Sequence, residues 1–290
     1  MKRLSILVVG FGLLGAACGA GRASSLGPAP SGPSPAPSPS HTVTPPPPSS
    51  SSPTPTPTPS RHQSFTYQQW FEVGGKLFVT RRTSEFNSAV GRTALASLIA
   101  GPSSIEARAG VTTAISSGTG LLGLTISGGV ATVNLTPDFF ASGPTGALRR
   151  AQVVYTITQY STVQSVAFQS AGTAVALNGP QTRAGYDGFL PAIVVESPTI
   201  SQRVSSPVTV SGTADVFEAV VSLRILDQAG NQIAATFTNA TCGTGCRGTF
   251  SVAMAFHVDR EQSGVIEVYE SSAKDGSPVN LVRIPVILVP

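Results

Sequence analysis

The chain has 290 residues and a formal net charge of +4, with 41% hydrophobic but only 11% charged residues, and it is rich in Gly (30) and Pro (24). A charged share less than half the usual ~25%, combined with so much Gly and Pro, argues against a cytosolic helical enzyme and for exported all-β and α+β modules. The length accommodates about two domains. No basic run is interleaved with aromatics, so nucleic-acid binding is not expected, and the pairs Arg81-Arg82 and Arg149-Arg150 read as solvated faces.

In chain order, Met1-Lys2-Arg3 is a short positive segment followed by an apolar run over residues 4–14. That run is too short for a membrane-spanning helix, which needs ~20 apolar residues, and has the length of a signal-peptide core. It leads into Leu14-Gly15-Ala16-Ala17-Cys18. Small residues before a cysteine are what lipoprotein signal peptidase accepts, and the segment is similar to the bacterial lipobox, with Gly15 where Leu is usual. Residues 1–17 are therefore expected to be a lipoprotein signal peptide, with Cys18 lipidated and the protein held at the outer face of the cytoplasmic membrane. Ordinary cleavage among the same small residues, giving a secreted protein, is the alternative. Two or three acyl chains make a stable anchor where one does not.

Residues 18–60 form a linker of Pro, Ser and Thr, including the tetraproline 45–48 and a Pro-Thr alternation over 53–59. This composition cannot bury enough apolar surface to offset its ordering entropy and is expected to be a disordered stalk. At ~3.1 Å per residue in the polyproline II form it reaches on the order of 130 Å.

Residues 64–186 are expected to form an α+β domain, a sheet with two packed helices. An aromatic-rich strand over 65–73 and a return strand over 76–80 flank Gly74-Gly75, a hairpin signal. Val90, Ala94, Leu95, Leu98 and Ile99 share one helical face, with Asn87 or Ser88 as cap and Gly101-Pro102 as stop. A hairpin follows over 121–135 with its turn at Ser127-Gly128-Gly129. A second helix spans 145–160, with Leu148, Ala151, Tyr155 and Thr158 on a stripe, and a last strand spans 163–169. The order β-β-α-β-β-α-β is most simply one sheet carrying two helices.

Residues 192–290 lack helical periodicity and contain seven short strands, at 193–196, 207–212, 219–226, 232–238, 248–256, 264–269 and 281–288. That pattern is expected of an immunoglobulin-like β-sandwich. Between the fourth and fifth of these strands lies Cys242-Gly243-Thr244-Gly245-Cys246. In an exported protein a disulfide closing this loop is the expectation. A zinc site would need more Cys or His ligands than are present, and a redox pair is more often C-x-x-C at a helix start.

The residues offer little chemistry. His257 lies near Asp259 at a strand end and reads as an exposed loop histidine. Glu106 and Asp138 are the one candidate carboxylate pair for a hydrolase, each more simply a loop or cap carboxylate. Gly118-Thr119-Gly120 lacks the lysine and helix of a phosphate loop. Trp70, the sole Trp, is read as core, with a glycan or protein contact as the alternative. No catalytic residue, metal site or cofactor is expected.

Two resemblances add to this reading. The first folded segment resembles the GerM domain of bacterial sporulation and germination proteins. The resemblance is carried by Trp70-Phe71, Leu77, Arg82, the helix end from Ala94 to Pro102, Glu106, Gly118-Thr119, Leu121-Leu122, Val130 to Leu135, Asp138-Phe139 and Gln152 to Gln159. Asn134 stands where that family usually has Asp. The second segment resembles the immunoglobulin-like domain of bacterial spore germination proteins, through Val208 to Ala214, Val216 to Ala219, Gly230, Arg247-Gly248-Thr249-Phe250, Glu270-Ser271-Ser272, Asp275-Gly276-Ser277 and Ile284-Pro285-Val286. The resemblance implies a non-catalytic envelope module for assembly or interaction, with envelope proteins or a second copy as partners. A cell-wall glycan-binding module is the alternative, and a cell-wall hydrolase a weaker one.

Overall fold

A computed structural model describes residues 63–290. The apolar leader, Cys18, the Pro-rich linker, His41 and His62 lie outside the described residues.

Strands β1 (Ser64–Val73) and β2 (Lys76–Glu85) pair antiparallel along their whole length. Gly74 and Gly75 turn the hairpin at φ of 58° and 76°, the left-handed pair of a two-residue turn that favours glycine. Helix α1 (Val90–Ile99) buries Ala94, Leu95 and Leu98, as the periodicity predicts. Asn87 Oδ1 accepts from the Ala89 backbone N–H at its start, and Gly101, at φ 85°, donates its N–H to the Leu98 carbonyl at its end. A short helix not expected from the sequence, α2 (Ser104–Arg108), opens with a capping box between Ser103 and Glu106.

Strands β3 (Leu121–Ser127), β4 (Val130–Leu135), β5 (Ser165–Ser170) and β6 (Thr173–Ala174) form a four-stranded sheet in that order. β4 and β5 are parallel, which requires a long crossover, and α3 (Gly146–Ile157) supplies it. The α+β class holds, with the strands divided between a two-stranded ribbon and a four-stranded sheet rather than lying in one sheet. The reason lies in α3. Every residue from Ala151 to Ile157 is buried, so the helix is covered all round and not on a single stripe. It lies against β1, β2, β5 and α1 and closes the free edge of β1 with its own side chains. Phe71, Leu77, Leu95, Leu98, Leu135, Phe139 and Ile157 are at most 1% exposed in the shared core. Full burial of each such side chain stabilises by about 1.5–3 kcal/mol.

The second domain has all seven expected strands: β7 (Ile193–Ser197), β9 (Val208–Ala214), β10 (Val220–Leu226), β11 (Gln232–Asn239), β12 (Gly248–Met254), β13 (Gln262–Ser271) and β14 (Pro278–Leu288), with a two-residue β8 (Arg203–Val204) added. They form two sheets, β11-β10-β13-β14-β8 and β12-β9-β7. Alternation sends Val221, Leu223 and Ile225 of β10 and Ile266 and Val268 of β13 into the core at 0% exposure. Gly212 is required by proximity: a Cβ there would fall on the Val194 carbonyl oxygen of the paired strand. The described residues 63–290 lie within one compact unit.

Candidate functional site

β1 has no neighbouring strand on its outer edge, and buried peptide groups there need partners. Side chains of α3 and of the turn that follows it provide them. Gln159 Oε1 accepts from the Gln68 N–H (2.7 Å) and its Nε2 donates to the Gln68 carbonyl (2.9 Å). Thr156 Oγ1 accepts from the Trp70 N–H (3.2 Å). Gln152 Nε2 donates to the Trp70 carbonyl (3.1 Å) while its Oε1 accepts from the Ala114 N–H (2.8 Å). Glu72 then pairs with Thr112 through two backbone bonds. Gln152 and Thr156 share one face of α3, and Gln159 in the turn after it extends the row, so the helix and its C-terminal turn stand in for a third strand.

Where this edge meets the second domain, the chain forms a polar recess of about 460 Å³ lined by Thr66, Tyr67, Gln68, Arg81, Thr158, Gln159, Arg183 and Glu196. Gln68 and Arg81 are cross-strand partners on the ribbon. Arg183 opens the 3-10 segment Arg183–Phe189. Its guanidinium carbon lies 4.8 Å from the Tyr155 ring centroid and 5.7 Å from that of Trp70. Its Nε donates to Thr158 Oγ1 (2.9 Å) and its Nη2 to the Tyr155 carbonyl (3.0 Å). Burial lowers the Arg183 pKa, and the nearby carboxylates of Glu196 and Asp187 oppose that shift. Beneath it the Tyr155 hydroxyl donates to Asp187 Oδ1 (2.7 Å). Burial first, and then the Asp187 carboxylate, raise the Tyr155 pKa and keep the phenol neutral.

Arg247 ties the second domain to the connecting segment. It donates through Nη2 to the Pro191 carbonyl (2.6 Å) and through Nη1 to Thr213 Oγ1 (3.3 Å). It directly follows the Cys242–Cys246 disulfide, the pairing expected from the sequence. The loop is docked by Gly245, whose N–H donates to Asp215 Oδ1 (2.8 Å), and by Thr244, whose N–H donates to the Val216 carbonyl (3.0 Å).

The remaining sequence candidates fall elsewhere. Trp70 is 2% exposed and packs on Tyr155 at 4.9 Å between centroids, a core residue. Glu106 Oε2 accepts from Arg82 Nη2 (2.5 Å) and the Ser103 N–H (2.6 Å). Burial acts to raise its pKa, but hydrogen bonds from the Ser103 backbone and the Thr80 and Ser103 hydroxyls, with the Arg82 charge, outweigh it and hold the carboxyl below its ordinary value. A carboxyl so committed is a poor general acid. Asp138 lies in the separate 3-10 turn Pro137–Phe140, against Gly118. Asn134 Oδ1 accepts from the Gly172 N–H, a structural role its amide fills. His257 is exposed and 3.1 Å from Asp259.

The reading of both arginine pairs as solvated faces is corrected at Arg82 and Arg149, while Arg81 is exposed. Arg149 is 5% exposed and donates to the carbonyls of Ala114 and Phe139. Arg82 is held by Glu106. Loop carbonyls without a ladder partner recruit the guanidinium of Arg149, and the capping carboxylate of α2 recruits that of Arg82. Sequence reasoning gave no role to Arg183, and Arg247 entered it only within a matching motif. Both bond mainly to carbonyls and hydroxyls of distant segments, and such partners leave no local pattern. Among the described residues there is no group of three or more His, Cys, Asp or Glu placed to hold a metal ion, and no helix is long and apolar enough to cross a membrane.

Comparison with known proteins agrees with this architecture. Residues 70–176 match the family described as sporulation and spore germination, and residues 192–277 match the immunoglobulin-like domain of bacterial spore germination. The first folded domain is therefore similar to domains of sporulation and spore germination and the second to the immunoglobulin-like domain of bacterial spore germination. No curated protein matches the chain significantly. Among solved structures, the tandem GerMN domains of the sporulation protein GerM from Bacillus subtilis align with 17% identity and a TM-score of 0.35 over 45% of this chain; the chain spans 49%, about half, of that structure. A putative lipoprotein from Clostridium perfringens aligns with 17% identity and a TM-score of 0.31, covering 44% of this chain and 94% of that one. The first GerMN domain of the same Bacillus subtilis protein aligns with 12% identity and a TM-score of 0.33, covering 41% and 98%.

Proposed function

We propose that this is a non-catalytic envelope protein acting in a sporulation or germination process, lipid-anchored through Cys18 at the outer face of the cytoplasmic membrane. Its two domains, carried on the linker 18–60, serve as a docking head for other envelope proteins. The observation that carries this reading is the tandem of a sporulation-and-germination domain and its immunoglobulin-like companion in one chain. The physical character of the head supports it. The Glu106 carboxylate, half of the one candidate acid–base pair, is consumed by a helix cap and an ion pair.

The anchor is tested by intact mass and detergent partitioning of the protein made in a bacterial host, beside Cys18→Ala. A diacyl or triacyl mass increment with detergent-phase partitioning, both lost in the variant, is the expected result. An unmodified soluble product from a lipidating host sinks the anchor. Docking is tested by in-cell cross-linking of the 63–290 head, where a discrete set of envelope partners is expected and monomer alone counts against it. Cell-wall glycan binding is the second reading. The buried Trp70 does not serve it, whereas the polar recess beside Arg183 does.

A further inference from the structure

We propose that the recess between Gln68, Arg81, Arg183 and Glu196 is a binding site for a carboxylate group on a short polar ligand, an acidic sugar or a free peptide C terminus. The proposal requires neither the lipid anchor nor the docking role, and its failure would leave both standing.

Three residues lining the recess carry side-chain donors that have no hydrogen-bond partner among the described residues. Arg183 is fixed by two aromatic rings and by hydrogen bonds from Nε and Nη2, which leaves Nη1 uncommitted. Holding the guanidinium in advance spares the entropy of ordering it when a ligand arrives. Arg81 has neither an ion pair nor a hydrogen bond among the described residues and is exposed at the rim. Gln68 uses its Oε1 to accept from the Trp70 indole N–H (3.2 Å), so its Nε2 is available. A donor-rich, guanidinium-lined surface suits an acceptor-only group such as a carboxylate.

Charge narrows the ligand. Two guanidinium groups face one carboxylate, Glu196, which has no ion pair within 4.0 Å among the described residues. The net charge of these three groups is positive by one, enough for a monoanion, while Glu196 opposes a phosphate dianion. Glu196 also offers an acceptor for a hydroxyl or amide N–H beside the bound carboxylate, and acidic sugars and peptide termini both carry one. At about 460 Å³ the recess is within the ~300–1,000 Å³ range of small-ligand sites. A saturated aliphatic acid would leave Glu196 unanswered.

The sole tryptophan, Trp70, lies under Arg183, so its fluorescence reports the site directly. The full chain in detergent is titrated with galacturonic acid and with an N-acetylated tripeptide of neutral side chains, each beside its uncharged counterpart, the methyl ester and the carboxamide. Inorganic phosphate is a third probe. A saturable Trp70 response to at least one carboxylate form is expected, weaker by about tenfold or more for its uncharged counterpart. Arg81→Gln is expected to weaken it similarly without moving the melting temperature, because Arg81 is exposed and unpaired. Response to the sugar alone assigns an acidic glycan, and response to the peptide alone assigns a chain terminus. Several outcomes overturn the proposal: no saturable response up to about 10 mM, well above the affinity such contacts support, equal affinity for the uncharged forms, tighter binding of phosphate than of either carboxylate, or unchanged binding by Arg81→Gln.

Discussion

Glu106 is ionised in the folded protein to lower pH than in the unfolded chain, because Ser103, Thr80 and Arg82 hold the anion against the cost of burying it. A depressed folded pKa contributes stability that is complete above the unfolded-state value and disappears as pH falls through the folded one. Glu106→Gln is therefore expected to lose about 1–3 kcal/mol at neutral pH, with the gap to wild type closing on acidification. Urea midpoints measured from pH 7 down to about 3 check this, and a gap independent of pH contradicts it. The Cys242–Cys246 disulfide closes a five-residue loop. Loop-closure entropy at that length gives about 2 kcal/mol, so Cys242→Ser with Cys246→Ser should lower stability by that amount in calorimetry and leave both folded domains intact. At this scale the sequence was a mixed guide. It located the cysteine loop, the Gly74-Gly75 turn and the Trp70 core. It misread Arg149, because a guanidinium that satisfies the carbonyls of Ala114 and Phe139 is locally indistinguishable from a solvated one.

Among the elements, α3 is the least ordinary. Its periodicity gave the helix, within one residue of the expected start and three of the expected end, since the terminal residues of a helix fray into turns. It did not reveal that Gln152, Thr156 and Gln159 complete the hydrogen bonding of β1. Gln152 is 0% exposed and serves two peptide groups from different segments. Gln152→Leu preserves size but strands the Trp70 carbonyl and the Ala114 N–H. The expected cost is about 2–4 kcal/mol, with faster amide exchange at Ala114 in hydrogen-exchange measurements. An effect below about 0.5 kcal/mol, the range of ordinary surface substitutions, counts against the strand-substitute role. The seven strands of the second domain, in contrast, were all legible: β9, β10 and β12 alternate between buried and more exposed residues along their length, and the others are short apolar runs bounded by turn residues.

In the whole molecule the two domains form one compact unit, and Phe78 of β2 packs against both cores. Arg247 reaches from the sandwich to the connecting segment at Pro191. Arg247→Ala is expected to leave each domain folded, to increase limited proteolysis within 187–192, and to separate one calorimetric transition into two. A single unchanged transition and an uncleaved connector would show that the apolar junction suffices without it.

What the sequence alone determined is whatever depends on near neighbours: two hairpins with glycine turns, two helices, seven strands and the order of the two folded domains. Hydrophobic periodicity and turn chemistry operate within a few residues, so they are written locally. The tertiary structure decided the polar pairings. Gln68 and Gln159 are 91 residues apart, and Arg247 and Pro191 are 56 apart. A buried donor accepts any well-placed oxygen whatever its residue type, so such pairings carry no local signature. The recess beside Arg183 draws Gln68, Gln159, Thr158 and Arg183 together through them and became visible only once the chain had folded.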